Sequence, residues 1–171
     1  MSYLVRMIEI ANWSNDDGSL ITPDNFRFVK ADGITKDLKT GNNMLSLWEI
    51  HSLDELKEMA ISLLTSKSSP QDLFIIAIPK EGVEKLLELE NNNDAETAFK
   101  KFQNRHYDLL NMDLEKLQIL SKLILEALQD ESRLYDFIYI ESKNLIKQLI
   151  DAGEIDVNKL KGKIQKDLKD N

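Results

Sequence analysis

The chain has no cysteine, only three prolines and two histidines in 171 residues, and six glycines that stand far apart. Each shortage removes a class of chemistry. The absence of cysteine excludes disulfides, thiolate nucleophiles and every sulfur-based metal site; it also suits a reducing compartment, so a cytoplasmic protein is expected. Gly18, Gly33, Gly41, Gly82, Gly153 and Gly162 are too scattered for a P-loop or a dinucleotide fingerprint, and no Gly-x-Ser-x-Gly elbow occurs. With no His-x-x-x-His pair and no calcium-binding loop, neither a metal nor another cofactor is expected. No apolar run reaches the roughly 18 residues that span a bilayer. Met1-Ser2-Tyr3 leads into a strand-like segment rather than a signal peptide, so no membrane partner is expected. Positive charge is also short. Twenty-two Lys and Arg stand against 30 Asp and Glu, a formal net charge of −8, which argues against general binding to a nucleic-acid backbone.

What is present is most legible between Met44 and Pro79. Met44 to Ile50 is short and rich in large apolar residues, and it follows the turn-forming run Thr40-Gly41-Asn42-Asn43, so a strand begins near Met44. Ser52-Leu53-Asp54-Glu55 has the spacing of a capping box, with the Ser52 hydroxyl accepting from the amide three residues on and Glu55 reaching back. Leu53, Leu56, Met59, Ala60, Leu63 and Leu64 then recur at helical spacing. Ser66-Lys67-Ser68-Ser69-Pro70 stops that helix. Leu73 to Ile78 is a continuous apolar run of the kind that forms a strand covered on both faces. Strand, helix and strand in this order predict a right-handed βαβ unit.

The remaining segments attach to this unit. Tyr3 to Ala11 alternates imperfectly, with Arg6 and Glu9 among apolar residues, and predicts a further strand beside the pair. Asn12 to Asn25 reads as a polar loop, Ala31 to Leu38 as a short helix, and Lys80 to Leu89 as another helix. Asn93, with Glu96 three residues on, fits a cap for a helix carrying Ala95, Ala98, Phe99, Phe102, His106, Leu109 and Leu110 on one stripe. Leu114 to Leu128 is apolar around well over half its circumference and is expected to pack on more than one side. Phe137 to Ile140 suits either a strand or the start of the helix that Gly153 ends, and Asp156 caps a last, Lys-rich helix. The fold class expected is α+β, a small sheet with a βαβ unit in the N-terminal half and a helical C-terminal half. Residues 1–90 and 91–171 form two subdomains packed as one body.

Charge supplies the candidate binding residues. Residues 51–95 hold nine acidic side chains against four basic ones, whereas 96–171 hold fourteen against thirteen. The excess lies on two expected helix faces, Asp54, Glu55 and Glu58 on one and Glu81, Glu84 and Glu88 on the next. Such faces serve solubility, and they also suit docking of a basic protein partner. Lys159, Lys161, Lys163, Lys166 and Lys169 give the tail the opposite sign. His106 falls on an apolar stripe, as a core-edge histidine does. His51 sits where a strand ends and a helix begins; together with Trp48 it marks an alternative pocket at the carboxyl ends of the strands. Asp136, Glu141 and Lys143 loosely resemble the acid, acid and lysine set of metal-dependent nucleases, but their spacing is short.

Ala31 to Thr40 with Asn43 to Ile50, His106-Tyr107-Asp108-Leu109 and Ala152 to Asp156 together resemble a family of small uncharacterised bacterial proteins across most of the chain. The resemblance implies a bacterial intracellular protein of accessory type and carries over no site residues. Two function classes fit the whole. One is a non-enzymatic interaction protein of immunity or antitoxin type, which binds a basic partner through its acidic helices, with homo-oligomers compatible. The other is a small-ligand sensor or a hydrolase- or nuclease-like enzyme with its pocket near His51.

Overall fold

A computed structural model describes residues 1–92 and 97–169. Six strands form one sheet, β1 (Tyr3–Ile8), β2 (Leu45–Ile50), β3 (Leu73–Pro79), β4 (Leu89–Asn91), β5 (His106–Leu109) and β6 (Leu134–Phe137). Their order is β4-β5-β2-β1-β3-β6, and every neighbouring pair is antiparallel. The protein is therefore α+β. Helix α1 (Leu56–Thr65) links β2 to β3, which run in the same direction as expected. However, they do not touch, because β1 lies between them and hydrogen-bonds to both. The unit is a split βαβ. Leu4, Val5 and Ile8 are all buried, so β1 is apolar towards both faces and gains most from the middle of the sheet, where both its edges find ladder partners.

The C-terminal half is not purely helical. The stripe from Phe99 to Leu110 folds as a 3-10 turn at Lys100–Phe102 followed by β5, and Asn104 between them adopts φ 68°, which no continuing helix accommodates. Apolar residues three and four apart carry no helix signal across such a break. The cap expected at Asn93 and Glu96 lies outside the described residues. Phe137 ends β6 and Tyr139 begins α4 (Tyr139–Asp151), so the ambiguous run around them serves both elements. Helix α2 is short, Lys80–Glu84, and Leu89 belongs to β4. Asp156 caps only a 3-10 turn, and α5 starts later, at Gly162–Lys169. Of the capping box at Ser52, the hydroxyl makes no cap bond, and Glu55 accepts from the amide of His51, at 2.8 Å, instead of that of Ser52.

Helices and 3-10 turns cover both faces of the sheet. On one, Val5, Ile50, Ile75 and Ala77 pack against α1, α4 and α5 through Met59, Ile61, Ile146 and Ile164. On the other, Leu4, Leu47, Ile76 and Ile78 meet α3 (Leu114–Leu128) through Leu120, Ile124 and Leu128, with Trp13, Ile21 and Leu38 closing the side. The expected crowding around α3 is present: it buries Leu120, Ile124, Leu125 and Leu128 and also touches the Pro23–Phe28 turn and α2. Strands from both sides of residue 90 share this sheet, so the two cores sit on opposite faces of one layer. Among the described residues, no helix is long and apolar enough to cross a membrane.

Candidate functional site

The sheet has one flaw in its ladder, and a cleft forms there. β1 pairs with β2 only from Tyr3–Ile50 to Val5–Trp48, then continues through Ile8 against β3 alone. From Arg6 onward the two strands diverge. The Ser46 carbonyl, which faces the gap, accepts from Arg6 Nη1 at 2.8 Å in place of a strand amide. Arg6 Nε and Nη2 both donate to the Asp37 carbonyl, at 2.9 and 2.7 Å. The Asp37 carboxylate is itself held by Trp13 Nε1 at 2.8 Å and by Asn12 Nδ2 at 3.3 Å. The side chain of Arg6 thus ties the loop before β2 to the open end of the sheet.

The resulting cleft, about 650 Å³, lies at the amino ends of β2 and β3. One wall is apolar, with Met7, Trp48 and Leu63; another is charged, with Arg6, Lys36, Asp37 and Lys67. Glu9, Asp72 and Asp136 complete the ionic lining. Asp72 is occupied, since its Oδ1 caps α4 by accepting from the Tyr139 amide at 2.8 Å. Lys36 is occupied as well, in an exposed pair with Asp32 at 2.6 Å.

Lys67 differs from these groups. Half-buried just beyond the end of α1, its ammonium has no hydrogen bond or ion pair among the described residues. Burial, and after it the Arg6 charge, hold its pKa below the ordinary lysine value. Burial likewise lowers the pKa of Arg6 against the opposing pull of Asp37, although a guanidinium stays charged regardless. The cleft therefore holds two cations, one bonded to carbonyls and the other bonded to no group among the described residues. Partial burial weakens the hydration of the Lys67 ammonium, and an anion entering the cleft would give it a partner.

The acidic residues singled out from the sequence have mostly been neutralised by the protein itself. Glu55 is only 14% exposed and accepts from Arg105 Nη1 and Lys101 Nζ, both at 3.0 Å. Burial would raise its pKa, but the His51 amide, Lys101 and Arg105 outweigh this and hold it low. Glu58 pairs with Lys101, Glu81 with Lys85 at 2.6 Å, and Glu84 with Lys80 at 3.7 Å. Glu88 accepts from Asn111, and Asp54 stands exposed. Of the second trio, Glu81 and Glu84 lie on α2, and Glu88 follows that helix just before β4.

The cleft lies at the amino end of β2, whereas His51 follows its carboxyl end. His51 is 62% exposed, lies outside the cleft and has Glu49 Oε2 at 4.0 Å. Pro79 pairs with Tyr3 at the closed end of the sheet. Of the alternative pocket only Trp48 lines the cleft, because the strands part at their amino ends where β1 departs from β2. His106 is buried on β5; its ring stands edge-on to Trp48 with centroids 4.9 Å apart, and its Nδ1 has no partner among the described residues. Asp108 beside it accepts from Ser46 Oγ and Asn92 Nδ2 at 2.9 and 2.6 Å. The nuclease-like trio is dispersed: Asp136 lines the cleft, Glu141 is exposed on the first turn of α4, and Lys143 is taken by Asp167 at 3.0 Å. Among the described residues no three acidic or histidine side chains are grouped as a metal would require.

Sequence reasoning missed Arg6 and Lys67. Arg6 passed as the polar position of an alternating strand and Lys67 as part of a helix stop. The only local signal was Arg6 itself, a charged residue within a strand whose other inward neighbours are apolar. No protein family, curated protein or solved structure matches this chain, so the resemblance read from its sequence adds nothing to the site.

Proposed function

We propose that this protein is a cytoplasmic small-ligand-binding protein, a sensor or carrier that takes a small organic anion into the cleft between β1 and β2. The observation that carries the reading is the unpartnered Lys67 ammonium beside Arg6 in a cleft large enough for a metabolite. Arg6 has five N–H donors and spends three on carbonyls, leaving one on each terminal nitrogen. Such a pair meets the two oxygens of a carboxylate or phosphate. The alternative of docking a basic protein through the acidic helices has less support, since five of the six carboxylates already hold a partner within the chain.

The test is thermal unfolding at low salt against a panel of small carboxylates and phosphates. Ligand that binds only the folded state raises stability by roughly 2.7 kcal/mol at 100 times its dissociation constant. At least one anion should raise the melting temperature of the wild type in proportion to the logarithm of its concentration, and Lys67→Gln should lose most of that rise. If no anion stabilises the protein, or if Lys67→Gln responds as the wild type does, the cleft is not an anion receptor.

A further inference from the structure

The cleft carries more information than its charge. We infer that its ligand is a small aromatic monocarboxylate, whose carboxylate meets Arg6 and Lys67 while its ring lies against Trp48. This rests on the anion-binding reading and extends it. Three observations point the same way. First, each terminal nitrogen of Arg6 keeps one N–H beyond those given to carbonyls, and a guanidinium that donates from both suits a carboxylate. Second, the ionic lining of the cleft is Arg6, Lys36 and Lys67 against Glu9, Asp37, Asp72 and Asp136. With acids in slight excess, a dianion such as phosphate meets about twice the repulsion from them that a monoanion does. Third, Trp48 is only partly buried, and with Met7 and Leu63 it leaves an apolar wall in the cleft. The indole packs in a T-shaped pair with the buried His106 ring, which helps to hold it in place, and flat apolar ligands suit such a surface.

Trp48 also aids the test, because its fluorescence reports on its own neighbourhood; Trp13, hydrogen-bonded to the cleft residue Asp37, is the second emitter, and its share is read from Trp48→Leu. Wild-type protein is titrated with benzoate, 2-naphthoate, acetate and inorganic phosphate at constant low ionic strength. Trp48→Leu, which keeps an apolar side chain at the strand position, is titrated in parallel with the same four probes, followed by calorimetry. The inference expects the two aromatic acids to change tryptophan emission and to bind at least about tenfold tighter than acetate, the advantage that burying one ring confers. In Trp48→Leu this advantage should shrink while acetate affinity stays within about twofold. Acetate or phosphate binding the wild type as tightly as benzoate would overturn the aromatic assignment and leave the anion receptor standing. Binding of none of the four would overturn both. Should Trp48→Leu fail to fold, the ranking of probes on the wild type decides alone.

Discussion

At the scale of the residue, neighbourhood decides what a charge is for. Glu55 and Lys67 differ little in what their sequence context offers, yet Glu55 is satisfied by two cations and an amide while the Lys67 ammonium meets no partner among the described residues. Neither outcome was legible in the sequence, because Arg105 and Lys101 reach Glu55 from about 50 positions away and Arg6 reaches the cleft from 61 positions before Lys67. His106 was more readable, since its stripe marked it as a core-edge residue even though the element carrying it proved to be a strand. Burial lowers its pKa against the pull of Asp108 and of a hydrogen bond to the Asn92 backbone. The unfolded chain, with an ordinary histidine pKa near about 6.5, therefore takes up the proton first. Stability from this source is complete above that pH and is lost as pH falls through it, by up to about 1.4 kcal/mol per pH unit. Denaturant unfolding at pH 7.5 and 5.5 should show wild type losing more stability on acidification than His106→Phe, which keeps a ring against Trp48; equal losses would mean that His106 does not titrate differently in the folded state.

At the scale of the element, the sequence was most readable where one stretch of chain settles its own fate. β2, α1 and β3 stand where the short apolar run after a turn, the apolar stripe and the unbroken run Leu73 to Ile78 placed them. Elements defined by distant partners were not legible. β5 is a strand because β2 pairs with it, and the insertion of β1 between β2 and β3 follows from how much apolar surface each face can cover. The segment after α1 shows how a distant element positions the candidate site. Gly162, at φ 56°, begins α5 against the loop that carries Lys67, and a Cβ there would clash with the Ser68 carbonyl oxygen. The Lys163 amide also donates to that oxygen at 2.7 Å. Gly162→Ala should thus cost at least about 1–2 kcal/mol from the left-handed backbone alone, and more from the clash. Because the clash falls next to Lys67, the variant should also lose anion affinity even under conditions where it remains folded. A melting temperature and an affinity both unchanged would show that α5 does not set the position of the Lys67 loop.

At the scale of the whole molecule, a six-stranded antiparallel sheet is covered by helices and 3-10 turns on both faces, and its candidate site is a fault in its own strand pairing. The composition pointed to the α+β class, because stretches of alternating, continuous and helical apolar pattern all occur in one chain of single-domain size. It could not point to the cleft. An opening between two strands depends on where their pairing stops, and nothing in the linear order marks Val5–Trp48 as the last pair. The account predicts that ligand affinity and the integrity of the fold are separable, since the Lys67 ammonium bonds to no other group among the described residues. The measurement that tests this most directly is a crystal structure of the protein grown with benzoate at saturating concentration. The carboxylate is predicted to lie within hydrogen-bonding distance of Arg6 Nη1, Arg6 Nη2 and Lys67 Nζ, with the ring against Trp48; benzoate bound elsewhere on the molecule, with only solvent in the cleft, would contradict the account.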